Sequence, residues 1–324
     1  MKYLKTANLA AFILFLIMFS FSACKNSDSL VQPEEQITSD SQVLQKLVEN
    51  DESFQSFEPN YNEDQAMDLF GNSLSKTIYP LRVGQRMKLI EKNLDVIFEG
   101  DTAVGVLTRT FEGVLLIAAS FDQFEIAEGV RPDSSLIDTV VQKKFTAVVI
   151  QNLKFVKYRN TKNPERNWKI AAISLPEGST GSSNISITSM KIDMPNGETI
   201  QIDNPNDYYL ERFPGFRRQI PVLNKGEEVT VTLQILSTYA DEDLVTLTHG
   251  AMKGGLHHRV KRQFELVNEV LDGQYYKRTY QQTFIMNNIS GYKHAIVNVI
   301  PFQVINDDAT EVEEHSWGIP YIVR

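Results

Sequence analysis

Glu228-Val229-Thr230-Val231-Thr232-Leu233-Gln234-Ile235 decides the fold class of the second half of this chain. It follows a turn at Asn224-Lys225-Gly226-Glu227. Val229, Val231, Leu233 and Ile235 point one way, and Thr230, Thr232 and Gln234 point the other. One face is therefore buried and one is wet, the pattern of an antiparallel strand. Working outward, Ile185–Ile192 reads as a strand, and Pro195-Asn196-Gly197 as a hairpin turn before Thr199–Ile202. Leu244–Thr248, Arg259–Val267, Tyr275–Met286 and Ala295–Val304 follow as further strands. Trp317–Val323 reads as a last edge strand. Short strands separated by regular turns predict a two-sheet sandwich over residues 184–324.

Upstream, Pro176 to Ser183 is rich in Gly and Ser and has no apolar face, so 177–183 reads as a flexible linker. The 324 residues, at ~100–200 per domain, suit two domains, with 39–176 as the first. In that block Val43, Leu44, Leu47 and Val48 lie on one face of a helix over Ser39–Glu49. Ser39 and Gln42 have capping-box spacing. A second short helix is expected over Glu63–Phe70. From Arg86 the pattern turns to long strands. Glu99-Gly100-Asp101 marks a turn, and Phe145, Ala147, Val149, Leu153 and Phe155 share one face that only Gln151 interrupts. Asn163-Pro164-Glu165-Arg166 closes a turn before a strand at Trp168–Leu175. Helices on an antiparallel sheet give an α+β class for 39–176, ahead of the all-β 184–324.

Charge is unevenly placed. The chain carries a formal net charge of −9, and residues 25–70 alone sum to −9, with eleven acids against Lys25 and Lys46. The remainder is nearly neutral, so the acidity is assigned to a stalk. Nucleic acid is excluded as a partner, because binding phosphate needs clustered positive charge.

The first residues address the chain. Lys2 and Lys5 give a positive start, Leu9 to Phe19 is an unbroken apolar run, and Ser22-Ala23 precede Cys24, the chain's one cysteine. A charged start, a short apolar core and small residues define an export signal over 1–23. The run is shorter than the ~20 residues a membrane span needs. Residues 24–38 read as a polar tether.

Phe21-Ser22-Ala23-Cys24 resembles the lipobox of bacterial lipoproteins, with Phe where Leu is usual. The resemblance implies that Cys24 becomes the acylated mature N-terminus and anchors the protein to a membrane. Lys25, rather than Asp, after the cysteine implies the outer membrane of the cell envelope. Phe98-Glu99-Gly100-Asp101-Thr102-Ala103-Val104, the strand at 143–158 and Asn167-Trp168-Lys169-Ile170 resemble the NTF2-like fold, which implies a cone-shaped cavity. Residues 184–324 resemble the immunoglobulin-like modules of bacterial envelope proteins, without their Cys pair and central Trp.

Chemistry is sparsely signalled. No Gly-rich phosphate loop, nucleophile elbow, CxxC or HExxH pattern is present, and no cofactor is implied. All five histidines, His249, His257, His258, His294 and His315, lie in the second half. His249, His257 and His258 are candidate metal ligands for a hydrolase, since imidazole is the commonest transition-metal ligand. Adjacent histidines on a strand point to opposite faces, and Arg259, Lys261 and Arg262 would repel a cation. Arg109, Glu112, Asp122 and Glu125 are candidate polar groups for a cavity within 71–176. Tyr275, Tyr276, Tyr280 and Trp317 could form a carbohydrate platform. The leading expectation is a non-catalytic, lipid-anchored envelope protein. Its sandwich would act as a spacer or bind a protein or glycan partner.

Overall fold

The structure, a computed structural model, describes residues 39–61, 67–68, 79–122, 133–212, 220–251, 259–286, 289–307 and 309–324. The signal, Cys24, the tether, Glu125, His257 and His258 lie outside the described residues. The described residues begin with three short helices: α1 (Asp40–Asn50), α2 (Glu52–Gln55) and α3 (Phe57–Tyr61). Ser39 caps α1 as its spacing predicts, its Oγ accepting the Gln42 amide at 3.3 Å. Asp51 caps α2 in the same way, accepting the Ser53 amide at 3.0 Å. Of the helix expected over Glu63–Phe70, only β1 (Met67–Asp68) is described. It is a strand beside Val83 and Arg82, not a helix.

The strands that follow are β2 (Tyr79–Glu99), β3 (Thr102–Ser120), β4 (Thr139–Lys157), β5 (Trp168–Ser174), β6 (Glu177–Ser179), β7 (Ile185–Asp193) and β8 (Thr199–Ile202). Then come β9 (Tyr209–Glu211), β10 (Val222–Leu223), β11 (Glu228–Ser237), β12 (Asp243–His249) and β13 (Val260–Gln263). The chain finishes with β14 (Glu265–Asp272), β15 (Tyr275–Ile285), β16 (Gly291–Pro301), the short helix α4 (Phe302–Asn306) and β17 (His315–Val323). They form two sheets, antiparallel throughout except where β10 runs parallel to β17.

The larger sheet has twelve strands, in the order β1-β2-β3-β4-β6-β17-β16-β12-β13, with β5, β9 and β10 beside this path. β2, β3 and β4 form a long ribbon. A two-residue turn joins the first two strands, and Gly100 there adopts φ +64°. This sheet curls back on itself. Leu115 and Ile117 of β3 share one buried cluster with Leu244 of β12 and Ile300 of β16, strands far apart in the order. The helices lie inside the curl: Phe57 and Tyr61 join Met87, Phe111, Val149 and Ile296 in a second cluster. Each apolar side chain so buried contributes roughly 1.5–3 kcal/mol.

The smaller sheet, β14-β15-β11-β7-β8, covers the other face of β12, β16 and β17. Val229, Val231, Leu233 and Ile235 of β11 all point into this interface and are buried, as their alternation requires. The two-sheet packing expected of residues 184–324 is therefore present in mostly antiparallel form.

Three expectations are corrected. The segment read as a Gly/Ser linker contains β6, which pairs with Val148–Ile150 on one side and His315–Trp317 on the other. Residues 39–324 consequently form one compact unit, with a sheet that runs across the expected boundary. β17 is not an edge. It lies between β16 and β6, and all nine of its residues are buried. The single strand expected at Arg259–Val267 breaks at buried Phe264, with β13 in the larger sheet and β14 in the smaller.

Candidate functional site: polar groups beneath the helical strap

α1, α2 and α3 cross the inner face of the ribbon as a strap. Under them sits Arg109 of β3, fully buried on a face otherwise lined by Leu107 and Phe111. Its guanidinium carbon lies 4.8 Å from the Phe57 ring centre and 5.8 Å from that of Phe54. Its two terminal nitrogens donate to Gln151 Oε1 at 3.5 and 3.4 Å, and its Nε has no partner among the described residues. Gln151, the residue that interrupts the apolar phase of β4, donates in turn to the Ser174 carbonyl at 2.7 Å. Lys92 stands directly across β2 from Arg109. Burial pulls the Arg109 guanidinium down to about 10, with Glu58 opposing. Burial, then Arg109, lowers Lys92, while Glu58 and Glu49 raise it.

A carboxylate lies further along the strap. Glu314 accepts from Tyr61 Oη at 3.0 Å, from Asn298 Nδ2 at 3.2 Å, and from Gln85 Nε2. Ser56 Oγ meets His294 Nδ1 at 2.9 Å, and Asn60 bonds both the amide and the carbonyl of Ala251. At its rim the strap is pinned by ion pairs: Asp40–Lys157 at 3.0 Å, Lys46–Glu165 at 2.7 Å and Asp51–Arg212 at 2.8 Å. The acidity read as a stalk thus belongs, over residues 40–61, to a packed element facing basic partners.

The sequence candidates do not converge among the described residues. Arg109 faces inward, whereas Glu112 and Asp122 are exposed and Glu112 points out of the opposite face. His249 is buried against the smaller sheet, 3.5 Å from Tyr321 Oη and 4.8 Å between ring centres from Phe284. Burial, helped by Arg262 and Lys293, pulls its imidazole down to about 4. His294 points the other way, into the strap, and burial followed by Arg109 pulls it to about 3. His315 accepts the Ile187 amide and lies 3.2 Å from Glu177. Tyr280 and Trp317 are buried, so the four aromatics form no exposed platform.

Sequence reasoning missed three buried cations. Lys143 Nζ donates to the carbonyls of Val304, Asp307 and Thr310, closing the C-terminal end of α4. Its position in phase with Phe145 was the available signal. Lys293 Nζ reaches the Gly250 carbonyl at 3.0 Å, and burial pulls it down to about 8. Arg278 of β15 meets Asp243 at 2.8 Å and Glu269, and also donates to the Tyr239 and Ala240 carbonyls. Burial pushes the Asp243 carboxyl up while Arg278 pulls against it. The two carboxylates outweigh burial at Arg278 and hold its proton more tightly.

Between the sheets a cavity of about 30 Å³ is lined by apolar side chains, among them Met190, Met286, Phe284 and Leu247. That is room for little more than a water-sized occupant. No helix among the described residues is long and apolar enough to cross a membrane. No protein-family model matches the chain, and no curated protein is significantly similar to it.

Proposed function

We propose that this chain is a non-catalytic, lipid-anchored protein of the bacterial cell envelope, with residues 39–324 serving as a binding or spacing module. The observation that carries the reading is the engagement of the buried polar groups under the strap. Arg109, His294, Asn60 and Glu314 hold the helices to the rest of the fold, and Gln151 is engaged by Arg109 and Ser174, instead of all pointing together into a cavity. Catalytic groups normally converge on a shared space where a reacting atom can sit. The anchor rests on the lipobox likeness at Phe21–Cys24, with Lys25 favouring the outer membrane.

The finer likenesses belong to this reading. Three short helices against the inner face of long antiparallel strands support the NTF2-like resemblance of 39–176. The two-sheet packing supports the immunoglobulin-like one of 184–324.

Two measurements test the proposal. Cells expressing the full chain and fed an alkyne-tagged fatty acid should label it, and Cys24→Ala should abolish the label. An unlabelled wild-type chain sinks the anchor. Turnover of ester, glycoside or peptide substrates by purified protein at enzyme-like rates sinks the non-catalytic assignment.

A further inference from the structure

The loop between β4 and β5 concentrates positive charge that the near-neutral balance of the body hides. Residues 154–169 carry six cations, Lys154, Lys157, Arg159, Lys162, Arg166 and Lys169, against one acid, Glu165. The shape of the loop is fixed. Tyr158 donates its amide to the Asn167 carbonyl at 2.9 Å, and the Asn167 side chain accepts from Thr161 and donates to its carbonyl. Ion pairs to the strap engage Lys157, with Asp40, and Glu165, with Lys46. The loop's one acid is thereby neutralised. Arg159, Lys162 and Arg166 are exposed and have no carboxylate within ion-pair distance among the described residues. Arg159 instead lies over the Tyr158 ring, 5.0 Å from its centre. Glu99 and Asp101 in the turn after β2, and Glu211 on β9, temper this charge from outside the loop.

The same end of the ribbon adds apolar surface. Ile97 is 66% exposed and Phe98 43%, with the Phe98 ring 5.6 Å from that of Trp168. Exposed cations beside an exposed aliphatic and an aromatic side chain match an anionic membrane surface, where phosphate meets the charge and the interface takes the rings. Chain direction ties this end to the anchor. α1 begins at Asp40, the residue paired with Lys157 at 3.0 Å, so the chain enters the described residues beside the basic loop. Ser39 is fifteen residues beyond Cys24, a reach of at most ~55 Å.

We infer that the β4–β5 loop, with Arg159, Lys162 and Arg166 foremost, rests on the anionic headgroups of the membrane that holds the anchor. The inference rests on the lipid anchor proposed above for bringing the loop within reach; the contact itself is made to lipid phosphate. An acyl chain with a basic patch beside it forms a two-signal attachment, stronger than either alone.

The test uses the full acylated chain with Asn160→Cys, an exposed loop position, carrying an uncharged dye. It is added to vesicles of phosphatidylcholine alone or mixed with phosphatidylglycerol, and a wild-type chain treated in parallel corrects for dye at Cys24. Flotation with the vesicles reports the anchor, and shielding of the dye from acrylamide reports the loop. The chain should float with both lipids, but the dye should be shielded only with phosphatidylglycerol, and less so as salt is raised. Arg159→Gln/Lys162→Gln/Arg166→Gln should expose the dye again and leave flotation unchanged. At roughly fivefold per cation, or ~1 kcal/mol each, occupancy of the surface falls by about a hundredfold. A chain that does not float overturns the anchor, and the loop contact with it. A floating chain whose dye stays open with phosphatidylglycerol, is shielded equally by both lipids, or stays shielded in the triple variant overturns the loop contact alone. Shielding by an RNA oligonucleotide in place of anionic vesicles would overturn it too, by giving the loop to a different polyanion.

Discussion

Among the described residues two arginines, Arg109 and Arg278, are fully buried, and they are buried in opposite ways. Arg278, on the smaller sheet, meets two carboxylates and two backbone carbonyls. Arg109, beneath the strap, meets two aromatic rings and one amide oxygen at long range. The electrostatics follow the surroundings: the proton on Arg278 is held more tightly than usual, and that on Arg109 less tightly. A buried cation with matched anions is a joint that fails when one side is removed. One wrapped in rings is a filler whose charge contributes little to stability. Around Arg278 the packing is thus set by charge pairing and around Arg109 by ring contact, with the strap's ion pairs confined to its rim.

The largest expected effect breaks the charged joint. Arg278→Met leaves Asp243 buried without its cation, which should lower stability by about 3–5 kcal/mol. Urea unfolding followed by tryptophan fluorescence measures it. A loss below about 1 kcal/mol would mean that Ser237 and Tyr280, whose hydroxyls donate to the Asp243 carboxylate at 3.1 and 3.4 Å, satisfy it alone.

The next effect lies where the two regions are sewn together. A Cβ on Gly178 would sit 2.5 Å from Ser316 Oγ, 3.0 Å from Val149 and 3.1 Å from Tyr61 Oη. Gly178→Ala should therefore cost about 1–3 kcal/mol through forced shifts of packed strands. Gly181, three residues on, has open space around it but φ +85°. Gly181→Ala should cost less than Gly178→Ala, through backbone strain alone. Equal losses would show that β6 tolerates a Cβ and is not a tight seam.

The contrast between these glycines explains what could be read in advance. Alternation exposed β11 and the inner face of β4, and Gln151 stood out in that face because a polar residue broke the phase. The Ser39 cap was visible because capping is local. β6 was not legible, since glycine chosen for close approach has the same composition as glycine in a linker. The burial of β17 was hidden for a related reason. Pro320 and the terminal position suggest an edge, while its real neighbours come from residues 177–179 and 291–299, far away in the chain. The inner face of β3 was masked by valines at 104 and 106 on its outer face, so Arg109 stood as one candidate among four. The cations Lys293 and Arg278 gave no local sign, because what holds them is tertiary, and Lys143 gave only its phase with Phe145.

Acid should sharpen the comparison. His294 is neutral in the fold, with its imidazole pulled to about 3, whereas in the unfolded chain it titrates near ~6.5. Its contribution is complete above pH ~6.5 and is lost as pH falls toward 3, at up to ~1.4 kcal/mol per pH unit. His249, pulled to about 4 on the sandwich side, adds the same sign over a narrower window. His294→Gln should flatten the acid limb of stability between pH 6 and 4, with His249→Gln giving a smaller change. An unaltered slope in His294→Gln would mean that the strap lets the imidazole protonate without unfolding.

The smallest expected effect is the most discriminating. Arg109→Met replaces a desolvated guanidinium, lacking a carboxylate within ion-pair distance among the described residues, with an apolar side chain of similar reach. Sulfur packs well against rings such as Phe54 and Phe57. Burial depresses Lys92 and His294 most and Arg109 adds to it, so removing the cation should ease that depression in part. Against this, Gln151 Oε1 loses its donor, a penalty of about 1–3 kcal/mol. The sum should leave stability within about 1 kcal/mol of wild type, in contrast to Arg278→Met, because replacing a poorly compensated buried charge by a well-packed apolar group is often neutral. A loss of about 3 kcal/mol instead would assign Glu58 as a working counter-ion to Arg109. The two arginines would then share one electrostatic logic, and the strap would be held by charge pairing as the smaller sheet is.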